Sequence, residues 1–324
     1  DGLPGRRALL RSLPAAARAL EVNATEAFDR PLVEIASALR DRFVRSRDLV
    51  GEALARIRRA NPAVNAVVTH RPAAEAFAEA EAADRRLDAR APAGPLDGLP
   101  ITVKDIFETA GIRTTFGALH HRDRVPTADS PIVARLRMGG AVVVAKTSTP
   151  EFGFSPETEN LLIGRTSTPW DPGRTSGGSS GGEAALLAMG ASVLGLGSDI
   201  SGSLRTPAHF CGAASLKPTH GWIPLDGHLP ALEPWQEALL APGPLARTAA
   251  DLAVGWSALT GRPVETRVPG ALRVAVGALD DPKLHPRCRE AVVRAEAALD
   301  EAGHRVERVE ILPVLARAHD LWER

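Results

Sequence analysis

Apolar residues fall on one helical face at Leu49, Val50, Ala53, Leu54 and Ile57, which predicts a helix capped by Ser46 and ended by Asn61-Pro62. The whole stretch 1–62 reads as helical. Residues 64–69 predict a short strand, and an Ala/Glu-rich helix follows as far as Leu87. A Pro/Gly-rich connector, 91–98, leads into the strand Ile101-Thr102-Val103, which ends at Lys104-Asp105. Strand ends are where α/β proteins tend to place functional side chains. Ser130-Pro131 opens the next helix, Gly139-Gly140 closes it, and 141–145 is an unbroken apolar strand suited to burial on both faces.

Between residues 151 and 182 the periodicity disappears and the chain fills with Ser, Thr, Pro and Gly. A loop of that length in a compact protein is usually functional or disordered. A helix at 183–189, a strand at 192–196 and a second Gly/Ser loop at 197–203 come next. After Pro218 the chain is again rich in Pro and Gly. It then predicts a helix at 249–259, a strand at 272–276, a helix at 286–302, a strand at 305–311 and a last helix starting near Pro313. The alternation of strand and helix predicts an α/β fold with a largely parallel sheet.

Composition narrows the partners. The 324 residues are 44% hydrophobic, enough for a sizeable core, and 39 Lys+Arg balance 39 Asp+Glu. With no net positive charge and no dense basic cluster, neither nucleic acid nor an acidic membrane surface is the expected partner. Cys211 and Cys288 make neither a disulfide framework nor a metal site, so a reducing, cytoplasmic location is expected. No apolar run reaches the ~18 residues of a membrane span. Arg6-Arg7 is followed by Arg11, Pro14 and Arg18, a poor export signal. The chain begins without Met and stops at Arg324 with no capping Gly or Pro behind it, so either end is open to being a cut.

The most unusual composition lies in two loops, Gly177-Gly178-Ser179-Ser180-Gly181-Gly182 and Gly197-Ser198-Asp199-Ile200-Ser201-Gly202-Ser203. Glycine at this density lets backbone N–H groups approach a ligand, either phosphate or an oxyanion. The first loop lacks the lysine of a phosphate-binding loop, and Ile200 stands where a dinucleotide motif needs Gly or Ala. Flexible linkers seldom flank buried apolar elements this tightly. Gly177-x-Ser179-x-Gly181 matches a nucleophile elbow, but the residues before it, with Pro172 and Gly173, do not form a buried strand. His209, His220 and His228 read as surface or hydrogen-bonded histidines rather than bases.

Four separated motifs carry a resemblance. Residues 94–105 (GPLDGLPITVKD), 177–183, 199–205 with Pro207-Ala208 and Phe210-Cys211-Gly212, and Leu216-Lys217-Pro218-Thr219 together resemble the amidase signature family, across about residues 30–311. The resemblance implies a central mixed, largely parallel twisted sheet covered by helices on both faces. It implies an N-terminal helical segment, 1–62, packing on a catalytic core, 63–324, that is incomplete at its C-terminal end. It implies hydrolysis of a carboxylic amide through an acyl-serine, with Ser203 as nucleophile, Ser179 as bridging serine and Lys104 as base. Lysine can be a base only when neutral, so burial or neighbouring charge must lower its pKa. The family also implies a cis Gly178-Ser179 peptide, with Ser180 orienting Lys104 and Ser198 or Asp199 beside it. Asp199 and Arg205 would pair to hold the loop.

The same resemblance puts an oxyanion hole at the backbone amides of Ile200, Ser201, Gly202 and Ser203, with Ser201 standing where Gly or Ala is common. Cys211 belongs to a buried motif rather than to catalysis. No metal or other cofactor is implied. The expected partner is a small-molecule amide, and a homodimer stays open. Trp222-Ile223-Pro224 differs from the segment typical of the amidotransferase glutaminase subunit, which favours a free-standing amidase. That glutaminase component, and a catalytically impaired homologue acting as a binding protein, are the alternatives.

Overall fold

A computed structural model describes residues 23–228, 230, 232–264, 270–277 and 284–310. The helical reading of 1–22, the end of the last predicted strand at Ile311 and the helix from Pro313 lie outside the described residues. The chain divides into two compact units, 1–264 and 265–324.

Three helices, α1 (Ala24–Phe28), α2 (Leu32–Arg40) and α3 (Ser46–Val64), precede β1 (Val67–His70) and α4 (Ala73–Asp88). Ser46 is not the cap of α3 but its first helical residue. The Asp84 carboxylate of α4 accepts from the Ser46 and Arg47 amides at 2.9 and 3.1 Å, which frees the Ser46 hydroxyl to donate to the Gly98 carbonyl at 2.7 Å. Nor does Asn61-Pro62 end the helix. It runs on to Val64, which is fully buried, and closes at Asn65 in the left-handed region with φ of 51°. Asn61 Oδ1 then accepts from the Ala66 and Val67 amides, tying the helix end to β1.

The strands β2 (Pro100–Lys104), β3 (Val142–Thr147) and β8 (Leu194–Asp199) form the parallel centre of a six-stranded sheet, ordered β1-β3-β2-β8-β10-β9. The outer strands β1, β9 (Ala214–Ser215) and β10 (Ala241–Ala246) pair antiparallel, which makes the sheet mixed. Helix α5 (Pro131–Met138) leads into β3, and α6 (Gly181–Ala188) into β8. Every residue of α6 is buried except its last, Ala188. Helix α6 packs against α3, β2, β8 and β10, while α5 packs with α9 (Ala249–Thr260), which lies on β10. The core runs through Phe28, Leu32, Leu49, Ile57, Val103, Val143, Leu186 and Leu245.

The apolar pattern does not show β10, whose sequence Ala241-Pro242-Gly243-Pro244 reads as loop. The strand survives because the Pro244 carbonyl, and hence its nitrogen, faces Leu216 on the far side from β8. The predicted strand 192–196 is shifted to Leu194–Asp199, so Gly197, Ser198 and Asp199 belong to the sheet rather than to a loop. The non-periodic stretch 151–182 holds two small hairpins, β4 (Glu159–Asn160) with β5 (Gly164–Arg165) and β6 (Ser167–Thr168) with β7 (Asp171–Thr175). Helices α7 (Arg205–Cys211) and α8 (Pro234–Glu237) are additions to the predicted elements. The second unit contains β11 (Arg273–Val276), α10 (Pro286–Glu301) and β12 (Arg305–Arg308), with β11 and β12 parallel. Among the described residues no helix is long and apolar enough to cross a membrane.

Candidate active site

Parallel pairing of β2, β3 and β8 gathers their carboxyl ends. Lys104 is opposite Thr147 on one side, while the last residues of β8 are Ser198 and Asp199. The first Gly/Ser loop packs into this end. Gly182 has no room for a side chain, since a Cβ would lie 2.5 Å from the Ser148 nitrogen and 2.6 Å from the Ala66 oxygen. The residues 171–175 before it form a strand, β7, but not a buried one, as expected from Pro172 and Gly173. It is solvent-exposed and among the described residues pairs only with β6, so it does not build an elbow.

Lys104 is fully buried, and its Nζ donates to Ser179 Oγ at 2.7 Å and to Ser198 Oγ at 3.1 Å. The Gly178-Ser179 peptide is cis. Ser203 lines the same cleft as Ser179 and Ser198. Exposure rises from 0% at Lys104 to 2% at Ser179 and 7% at Ser203, an order that puts the outermost hydroxyl where a substrate can reach it. Burial pushes the Lys104 pKa down to about 7, against the pull of Asp199 and Glu183. Near neutral pH the amine is therefore available as a base.

Ser180 does not touch Lys104. Its hydroxyl donates to the Ser198 carbonyl at 3.3 Å and its amide to the Ser203 carbonyl at 3.1 Å, so it ties the two loops together. The contact expected of Ser180 is made by Ser198, because β8 extends far enough to bring residue 198 beside β2.

Asp199 and Arg205 pair as expected, with Nε to Oδ2 and Nη2 to Oδ1 both at 3.0 Å. Burial pushes the Asp199 carboxyl up, but Arg205 and the Leu204 and Gly202 amides hold it below its ordinary value. The same carboxylate reshapes the oxyanion hole. The Gly202 amide donates to Asp199 Oδ1 at 2.7 Å and is not free for a ligand, which corrects its assignment to the hole. The amides of Ile200, Ser201 and Ser203 have no hydrogen-bond partner among the described residues. Gly202 itself adopts φ of +129°, and this turn carries the chain from β8 to Ser203. The Ser201 side chain leaves its amide unpaired and does not block the turn.

Cys211 is buried and its pKa is pushed up to about 11 by burial, which makes it an unreactive thiol. Two groups at this end of the sheet, Glu183 and Lys146, escaped sequence reasoning, while His228 is the hydrogen-bonded histidine expected, with its partner now in view. His228 Nε2 lies 2.9 Å from Ser198 Oγ. Glu183 accepts from Thr102 and Thr147 at 2.5 and 2.8 Å, and burial pushes its pKa up to about 8. Lys146, fully buried in β3, contacts Asp105. Burial between two apolar strands was the available signal for Lys146. His228 follows a Pro/Gly-rich segment whose course the apolar pattern does not define.

The profile of the amidase family matches residues 48–323. Indoleacetamide hydrolase from Bradyrhizobium diazoefficiens is 37% identical over 293 residues, 86% of this chain and 56% of that protein. A glutamyl-tRNA(Gln) amidotransferase component from Rhodopirellula baltica is 36% identical over 297 residues, 86% of this chain and 58% of that protein. A solved fatty acid amide hydrolase superposes with a TM-score of 0.81 at 26% identity, covering 89% of this chain and 54% of the other. The chain belongs to the amidase family. It spans little more than half the length of these relatives.

Proposed function

We propose that this chain is the catalytic core of an amidase that hydrolyses a small-molecule carboxylic amide through an acyl-serine at Ser203. The observation that carries the reading is the buried Lys104 amine, bonded to Ser179 at 2.7 Å beside the cleft that holds Ser203. A serine hydroxyl is a weak nucleophile unless a base adjoins it. Neutral Lys104 takes the Ser179 proton as Ser179 takes that of Ser203, whose oxygen attacks the carbonyl. The oxyanion faces the unpaired amides of Ile200, Ser201 and Ser203. Ser179, resupplied by Lys104, returns a proton to the leaving amine as the C–N bond breaks, and water then releases the acid.

The cleft walls, among them Ile106, Phe152, Phe154, Ile200 and Leu240, favour an apolar group beside the amide. In this reading helices α1, α2 and α3 serve as a cover on the sheet that carries the site, with α3 packed against β2 and β3. Ser203→Ala is expected to lower hydrolysis by at least about 10³-fold and to abolish labelling by a fluorophosphonate. Retained turnover, or labelling of Ser179 in its place, overturns the assignment. The 36% identity to the amidotransferase component supports a second reading, a glutaminase. Release of ammonia from glutamine in preference to aryl and alkyl amides would select it.

A further inference from the structure

We infer that His228 is a positioning residue that, through the Ser198 hydroxyl, keeps the lone pair of Lys104 turned toward Ser179. The inference rests on the reading of Lys104 as the base.

The observations form a chain of three contacts. His228 Nε2 lies 2.9 Å from Ser198 Oγ, Ser198 Oγ lies 3.1 Å from Lys104 Nζ, and Nζ lies 2.7 Å from Ser179 Oγ. A neutral lysine amine has two N–H donors and one lone pair. To take the Ser179 proton it must aim the lone pair at Ser179 and spend an N–H on Ser198. Among the described residues Ser198 Oγ has these two side-chain partners only, so its own proton goes either to Lys104 or to His228. If it went to Lys104 it would occupy the lone pair and disable the base. An accepting Nε2 on His228 draws that proton the other way.

The imidazole is built to stay neutral. Its ring packs edge-on against Phe107 with centroids 5.2 Å apart, and a backbone bridge joins His228 to Phe107, three residues beyond Lys104. The turn that ends β2 thus carries the lysine and seats the histidine. Burial first, and Lys104 second, push the His228 pKa down to about 3, so the ring is neutral wherever Lys104 is. Lys104 in turn feels Asp199 and Glu183. Nδ1 is buried with no partner among the described residues, so the Ser198 contact is the one that the tautomer serves, and the inference assigns the ring proton to Nδ1, leaving Nε2 to accept.

The test combines spectroscopy on the intact chain with kinetics. In ¹⁵N-histidine spectra, Nε2 of His228 should show the shift of an unprotonated ring nitrogen from pH 6 to 9; a protonated Nε2 overturns the inference. His228→Phe, which keeps the ring contact and removes the acceptor, should lower kcat about tenfold with KM changed less than about twofold. Its acid limb should move to lower pH, because the Ser198 proton now stabilises the neutral amine. His228→Gln, which can still accept, should recover most of the loss. In a Ser198→Ala background His228→Phe should change nothing further. A loss that persists in that background with the acid limb unmoved means that His228 only supports the fold. If the wild-type chain neither hydrolyses an amide nor reacts with a fluorophosphonate, it is the hydrolase reading that has failed. The nitrogen shifts then decide the His228 assignment alone.

Discussion

Two lysines end up fully buried on neighbouring parallel strands, and what surrounds them is opposite in kind. Lys146 Nζ contacts an acid and two other acceptors: Asp105 at 3.3 Å, the Phe107 carbonyl at 2.7 Å and Thr114 Oγ1 at 2.9 Å. Lys104 Nζ meets only two serine hydroxyls among the described residues. Burial lowers both pKa values, but at Lys146 the touching Asp105 opposes it, whereas Asp199 and Glu183 oppose it at Lys104 without a hydrogen bond. The Thr114 hydroxyl already gives its proton to the Ile112 carbonyl at 3.0 Å, and a carbonyl has none to give, so Lys146 is placed to fasten the turn that ends β2 and Lys104, between two serine hydroxyls, is placed to exchange a proton. Identical residue type and burial therefore say little about role. The partners decide it.

Replacing each lysine by methionine separates the roles most sharply. Lys104→Met is expected to lower amide hydrolysis by about 10² to 10⁴-fold. Circular dichroism melting should still show a folded protein, because the groups left behind are hydroxyls. Lys146→Met leaves the Asp105 carboxyl buried and uncompensated, and is expected to cost about 3 to 5 kcal/mol of stability in urea titrations. A Lys146 variant of wild-type stability but without activity would break the comparison.

The pH profile is the next largest effect. A base must be unprotonated, and the Lys104 pKa is about 7, so kcat/KM should rise about tenfold per unit as pH increases toward 7 and level off above it. His228, with its pKa near 3, cannot produce that limb. A limb near 4.5 would point instead to a carboxylate.

The sequence made the strand-end lysine legible because an apolar run, Ile101-Thr102-Val103, delivers Lys104 to the carboxyl edge of the sheet. It made the two Gly/Ser loops legible because nothing else in the chain has their composition. Family resemblance then supplied the roles proposed for Ser179 and Ser203, which spacing alone left open. Other features depend on pairings between distant residues. Ser198 meets Lys104 only because β8 starts two residues later than its apolar pattern suggests and continues through Gly197. The strand β10 is hidden by two prolines whose nitrogens face away from the β8 ladder. Gly202 loses its expected ligand-binding role to a carboxylate three residues earlier, a contact that composition does not announce.

Glu183 gives the subtlest test, because it is the buried carboxyl that both lysines feel. Its hydroxyl partners are Thr102 of β2 and Thr147 of β3, and burial raises its pKa to about 8. A carboxyl whose pKa is raised on folding contributes stability that is full below the unfolded value, near 4.5, and is lost as pH climbs through about 8. Glu183→Gln, which mimics the neutral acid, should therefore flatten the decline of stability between pH 5 and 8. The slope removed is at most about 1.4 kcal/mol per pH unit, read from urea midpoints. At pH 7 the wild-type carboxyl is mostly neutral, so only its ionised fraction pulls on Lys104, beside the pull of Asp199. The acid limb of Glu183→Gln should accordingly stay near pH 7. A limb displaced well below 7 would mean that Glu183 is ionised in the native protein and holds Lys104 up, which would give Lys104 a carboxylate after all and erase the contrast with Lys146.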